Sequence, residues 1–467
     1  MMLFVSHPRR LQTPRSLNST TPEQVFGSLL LQESIVKARD QIILDPDELP
    51  GSWYNVIADL PGEFPKPKDP EEGPSRLEYL SKVLLKHCLQ QEISTERWIS
   101  IPAPVQDLYR QAGRPRPLYR ARRLERFLGT PARIYYKRED LSPTGSHKVN
   151  TALAQAYYAA EEGCAGVSTE TGAGQWGTAL AYAASLQGLK SVIFWVRSVY
   201  DWKPDRRVLM QMYGGKVFAS PSHETLVGRK ILEKNPNHVG SLGIAVSEGL
   251  EYAEKNPGYA YCLGSVLNHV LIHQSIIGLE TMKQFDQIDE KPDVMIGCLG
   301  GGSNFGGFIL PFAGEVVKGK RKCRFLAAQS ESAPNLSKGE YRYDYGDHAE
   351  KTPLLKMYTL GHQSDMAPIK ADGLRYHAAA PFISYLKHLG HVESTAYPQD
   401  EQGVFEAAKT FVQVEGFLPA PESAYAIRAA IDEALECKRK NRTEVIAFNV
   451  SGHGFLDLAA YQEKLEF

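Results

Sequence analysis

No two of the six cysteines (Cys88, Cys164, Cys262, Cys298, Cys323, Cys437) are spaced as Cys-x-x-Cys. That lack excludes a zinc ribbon or a disulfide scaffold and fits reduced, mostly buried thiols; no metal site is expected. Positive charge is not in excess either, with 53 Lys and Arg against 54 Asp and Glu. A nucleic-acid partner is therefore not expected. No apolar run approaches the ~20 residues that cross a bilayer, so no membrane partner is expected. Internal repeats and heptads are also missing. What is present is a chain of 467 residues, longer than one core usually grows, which predicts two lobes.

The first residues, MMLFVSHPRRLQTPRSLNSTTP, carry Arg9, Arg10 and Arg15, several hydroxyls, and no acid before Glu23. That composition fits an organellar transit peptide or a plain tail, so the location is cytoplasmic or plastid/organellar accordingly. A short amphipathic helix is compatible with 23–40. The proline-rich stretch from Leu60 to Pro74 reads as an extended surface connection.

From about residue 130 short apolar runs alternate with amphipathic stretches. Candidate strands are Ile134–Lys137, Gly166–Glu170, Ser191–Val196, Lys216–Ser220, Asp293–Leu299, Arg324–Gln329 and Val445–Val450. Candidate helices are Val149–Glu161, Gly177–Leu186, Arg206–Met212, Ser222–Glu233, Val266–Phe285, Asn304–Val317 and Ser423–Lys438. This alternation predicts an α/β fold with largely parallel sheets, whose ligands sit beyond the carboxyl ends of strands.

Five strings fall at such ends. In Lys137–Asn150 (KREDLSPTGSHKVN) a helix opens close to His147 and Lys148. A lysine at the positive end of a helix dipole is disfavoured as ammonium, which favours a nucleophilic amine able to form a Schiff base. By itself, such a lysine reads equally as one that snorkels to solvent. In Glu170-Thr171-Gly172-Ala173-Gly174-Gln175-Trp176-Gly177, small residues free backbone N–H groups for an anion, and Glu170 is a candidate general acid/base. A tight strand-to-helix turn fits the same letters. Gly300-Gly301-Gly302-Ser303-Asn304 can converge N–H groups on a phosphate, or be a flexible loop; it is neither Gly-x-Gly-x-x-Gly nor a Lys-bearing phosphate loop. Glu415–Ser423 (EGFLPAPES) and Ser451-Gly452-His453-Gly454 are each weak alone.

In this order the five strings resemble the beta chain of tryptophan synthase, a fold-type II pyridoxal-phosphate enzyme, from near Gln41 to the C-terminus. The second branch of that family is the nearest likeness, with Gln175-Trp176-Gly177, Ser94-Thr95-Glu96-Arg97 and Gly264–His269 (GSVLNH) as further signs. The resemblance implies two α/β lobes with parallel-rich sheets and the cofactor in the cleft between them. It implies an N-terminal extension (1–40), a segment packing on the lobes (41–113), a small mobile lobe (147–275) and a large lobe (114–146 and 276–467).

The implied reaction joins indole to L-serine, or O-phospho-L-serine, through an aminoacrylate to give L-tryptophan. Lys148 would hold the pyridoxal phosphate and shuttle the α-proton, with His147 and Asn150 beside it. Gly300, Gly301, Gly302, Ser303 and Asn304 would cradle the phosphate. Thr171, Gly172, Ala173, Gly174, Gln175 and Trp176 would bind the substrate carboxylate, with Glu170 acting at the departing group. Glu415 would lie beside the ring and Ser451 would face its nitrogen, where a hydroxyl makes a milder electron sink than a carboxylate. The resemblance also implies a homodimer, a monovalent cation as a second cofactor, and an alpha-subunit partnership that the elongated N-terminus puts in question. Where the ordinary branch carries Gly-Leu-Asp, this chain reads Gly373-Leu374-Arg375. Arg375 is therefore expected either to favour an anionic leaving group or to fold into a local ion pair. Trp176 and His453 also depart from the ordinary branch. Alternatives in the same class are threonine synthase, cysteine synthase and serine dehydratase; a retired scaffold is the alternative outside it.

Overall fold

Strands that are apolar along all or nearly all of their length, such as Val294–Cys298 and Val445–Val450, are buried on both faces and need helices on either side. The computed structural model describes residues 40–466. The possible transit peptide and most of the 23–40 helix lie outside them.

A seven-stranded sheet runs in the order Gln41–Ile42, Leu118–Arg120, Arg133–Arg138, Val445–Val450, Val294–Cys298, Arg324–Ser330, Val392–Tyr397. Its first two strands pair antiparallel and the remaining five run parallel. A second, fully parallel sheet has the order Gly215–Ser220, Lys190–Val196, Gly166–Thr171, Tyr259–Tyr261. The α/β architecture with parallel-rich sheets is thus the one expected. Each of the seven candidate strands is found, within one residue at either end.

Two expected helices differ. The run Val266–Phe285 is two helices, Asn268–Gln274 and Ile276–Gln287. Val266 has a φ of 72°, outside the helical region, and the Ser275 hydroxyl at the break donates back to Ile272 O while accepting from Tyr54 N. The helix expected from Ser222 starts at Leu226. Ser222 and Thr225 instead donate their hydroxyls to Glu248, and Thr225 Oγ1 accepts from Gly228 N as the cap. The stretch 60–74 contains neither helix nor strand, as its prolines require. Among the described residues no helix is long and apolar enough to cross a membrane.

The carboxyl ends of Gly166–Thr171, Val294–Cys298 and Val445–Val450 carry Glu170 and Thr171, the loop opened by Gly300, and Ser451. All of these open on one cavity of about 130 Å³.

Candidate active site

Lys148 is the N-cap of helix Val149–Glu161. Its Nζ donates to Gly264 O at 2.5 Å and to Ser303 Oγ at 2.8 Å. A neutral amine has two N–H bonds and both have acceptors here, which leaves the lone pair for the cavity. The side chain keeps some surface toward that cavity, but the protein around it lowers its basicity to about 8, against the pull of Glu170. His147 is held neutral by burial and by Lys148 beside it. Its Nδ1 lies 3.3 Å from Ser451 O and its Nε2 3.2 Å from Ser303 Oγ. A carbonyl only accepts, so Nδ1 carries the proton and Nε2 accepts from the serine hydroxyl. Lys148, Ser303 and His147 form one directed chain.

The glycine loop is shaped for close approach. A Cβ on Gly300 would stand 2.5 Å from Gly373 O, and one on Gly301 2.5 Å from Ser265 Oγ. Gly302, at a φ of 111°, caps helix Ser303–Val317, so first-turn N–H groups point at the cavity. Asn304 Nδ2 donates to Cys298 O at 3.0 Å. Asn335 Nδ2 ties the loop down by donating to both Gly300 O and Tyr376 O.

Gly174 begins helix Gln175–Leu186 at a φ of 95°, and a Cβ there would meet Trp195 and Arg206. Thr171 Oγ1 accepts from Gly177 N, and Gln175 Nε2 donates to Glu422 Oε2 at 3.2 Å. The Trp176 indole N–H donates to Thr169 Oγ1 at 2.6 Å, so its ring is a wall of fixed orientation. Glu170 takes a short hydrogen bond from the Tyr261 phenol, and burial pushes its carboxyl up to about 7. At the floor, Ser451 Oγ lies 2.8 Å from Ser423 Oγ and 3.5 Å from Cys298 Sγ. One arm of the cavity is apolar, walled by Leu80, Leu84, Val246, Leu250, Leu267 and Leu355.

The structure brings together His147, Lys148, Glu170, Thr171, Gly172, Ala173, Gln175, Trp176, Gly300, Gly301, Gly302, Ser303, Asn304 and Ser451. Four expected residues are not in the cavity lining, Gly174 at the helix start described above among them. Asn150 is fully buried below it, accepting from Arg114 Nε and donating to Glu139 and Gln274. Glu415 ends helix Gln402–Glu415, and its carboxylate accepts from Leu124 N at the start of the helix opposite. The glutamate of this string that lines the cavity is Glu422, one helix later; it accepts from Gly373 N and burial raises its carboxyl. Arg375 faces a neighbouring cavity of about 420 Å³ that shares Gly172, Leu242 and Asp372 with the first. Its guanidinium donates to Met366 O at 2.9 Å and pairs with Asp372 at 3.4 Å, the local ion pair weighed above. Sequence reasoning also missed Tyr261, Asp372, Cys298 and Asn335. Of these, only Cys298, two residues ahead of Gly300, had a signal in the letters.

Residues 109–452 match the pyridoxal-phosphate dependent enzyme family. The chain is 52% identical over 427 residues to a tryptophan synthase beta chain 2 of Methanothermobacter thermautotrophicus, covering 91% of this chain and 99% of that one. It is 53% identical over 443 residues to a tryptophan synthase beta chain of Pyrococcus horikoshii, covering 95% of each. Among solved structures, the processed form of threonine deaminase isoform 2 from Solanum lycopersicum superposes with a TM-score of 0.56 at 19% identity, covering 87% of this chain and 98% of that one. A fungal L-serine ammonia-lyase from Rhizomucor miehei superposes at 0.55 and 16%, covering 75% and 96%. These two likenesses are of fold alone.

Proposed function

Since the chain belongs to the tryptophan synthase beta family of pyridoxal-phosphate-dependent enzymes, we propose that its cavity performs that family's β-replacement. Indole displaces the β-substituent of L-serine or O-phospho-L-serine, giving L-tryptophan. The observation that carries this reading is the shared cavity: a basicity-lowered lysine and a near-neutral glutamic acid face an arm of aliphatic side chains.

The residues present suit pyridoxal phosphate. Gly300 and Gly301 line the cavity packed so tightly on Gly373 and Ser265 that a Cβ at either would displace the loop, beside a helix N-terminus and two hydroxyls. Lys148 would hold the aldehyde carbon, Gly300–Asn304 the phosphate, and Ser451 would face the ring nitrogen. When bound, the group supplies an electron sink that loosens the donor's α-hydrogen and β-substituent.

The chain's own residues do the remainder. The backbone of 171–176, with Gln175, would hold the donor's carboxylate at a helix start. Lys148, its basicity lowered to about 8, would take and return the α-proton through its neutral amine. Glu170, protonated, would give its proton to the departing β-oxygen and then, as carboxylate, accept the proton that indole releases. The aliphatic arm would exclude water and receive the indole ring. The homodimer, an alpha-subunit partnership and the 147–275 mobile lobe are further proposals; the four-stranded sheet confined to residues 166–261 supports the last.

Val246→Phe tests the arm: it should raise the KM for indole about tenfold and leave donor deamination without indole unchanged. Equal loss with and without indole would show that the arm does not receive it.

A further inference from the structure

Glu170 meets a group that no motif announces. The Tyr261 phenol donates to Glu170 Oε2, and among the described residues it makes no second hydrogen bond. Tyr261 sits on strand Tyr259–Tyr261, paired in parallel with Gly166–Thr171 in the register Ser168↔Tyr261, so a sheet sets the ring's position. Helix Leu242–Lys255 makes room for it, because a Cβ on Gly249 would stand 2.9 Å from Tyr261 Cε2. The other nearby hydroxyl, Thr169, has a single proton. It lies 2.6 Å from Cys262 O and 3.2 Å from Glu170 Oε2, so that proton belongs to the carbonyl. Tyr261 is then the donor on which the carboxylate depends.

The geometry points to Tyr261 as a positioning residue: its phenol holds one Glu170 oxygen, leaves the other to the cavity, and sets the balance between the acid and base forms of Glu170. This rests on Glu170 as the acid/base group. The titratable groups that face Glu170 are Lys148 across the cavity, Tyr261 and Cys262 from the neighbouring strand and its end, and Tyr376 from the 372–377 segment. Burial raises Tyr261, Cys262 and Tyr376 well above their ordinary values, so all three stay protonated and uncharged through the neutral range. The balance on Glu170 is thus set by burial, which favours the acid, against the Tyr261 hydrogen bond and the Lys148 charge, which favour the carboxylate.

The test is an infrared titration of the cofactor-loaded protein. The protonated-carboxyl band of Glu170 is identified by its loss in Glu170→Gln. In Tyr261→Phe the midpoint of that band should rise by about one to two pH units, and the pH limb of donor deamination should rise with it. Fluorotyrosine at 261, a stronger donor of the same shape, should lower both and guards against a misfolded Phe variant. Midpoints unmoved in both variants would reduce Tyr261 to a wall residue and overturn the proposal. Turnover and pH limb retained in Glu170→Gln would instead overturn the acid/base reading on which it rests.

Discussion

Lys148 Nζ and His147 Nε2 converge on one atom, Ser303 Oγ, at 2.8 and 3.2 Å. Ser303 is also the first residue of the helix that follows the glycine loop. The amine that would hold the cofactor's aldehyde and the helix start that would hold its phosphate are therefore joined by a single hydroxyl. Ser303→Ala should loosen the cofactor, with a larger dissociation constant in equilibrium dialysis, more than it slows the bound enzyme. A slower reaction at unchanged cofactor affinity would contradict that coupling.

The lowered basicity of Lys148 has a direct kinetic reading. Capture of an aldehyde needs the neutral amine, so the rate at which stripped protein regains its cofactor absorbance should rise with pH and level off above about 8. Lys148→Ala should abolish that absorbance. A rise that continues to the ordinary lysine range would show that the amine is not buried as described.

Glu170→Gln keeps the shape and removes the titrating proton. Donor deamination should fall by about 10²- to 10⁴-fold, with donor binding retained in spectroscopic titration. Equal loss of binding would make the residue a substrate ligand instead of an acid.

Arg375 sits one wall away from the reacting groups, across Asp372 and Gly172. A phosphoryl group leaving toward that wall would feel its charge, whereas a hydroxyl would not. Arg375→Ala should lower kcat/KM for O-phosphoserine about tenfold relative to serine. An unchanged ratio means that the arginine serves only its ion pair.

Below the site, Arg114 pairs with Glu139 and Glu280, and Lys137 with Glu280, all four fully buried. Glu280→Leu leaves the buried Lys137 without its carboxylate and Arg114 with Glu139 alone, and should cost about 3–5 kcal/mol of stability in denaturant unfolding, at unchanged donor preference. Asn150 belongs to this network through Arg114 and Glu139, which explains its place below the cavity.

What the letters carried were features local along the chain. Val445–Val450 reads as a buried strand because five of its six residues are apolar, and Lys148 reads as special because a turn and a helix start flank it. What they hid were partnerships made across sheets. Tyr261 lies 91 residues from Glu170 and meets it only through strand pairing. Two glutamates stand seven residues apart in one string, and only the end of helix Gln402–Glu415 decides that Glu415 turns to Leu124 while Glu422 faces the cavity. The Gly373-Leu374-Arg375 departure was legible as a charge reversal, but its pairing with Asp372 three residues earlier was not.

The most direct measurement is product formation by the isolated chain loaded with pyridoxal phosphate, given indole and either L-serine or O-phospho-L-serine. L-tryptophan should form, and its formation should be lost in Lys148→Ala. Donor turnover to pyruvate at the same rate with and without indole, and no tryptophan from either donor, would contradict the proposed β-replacement.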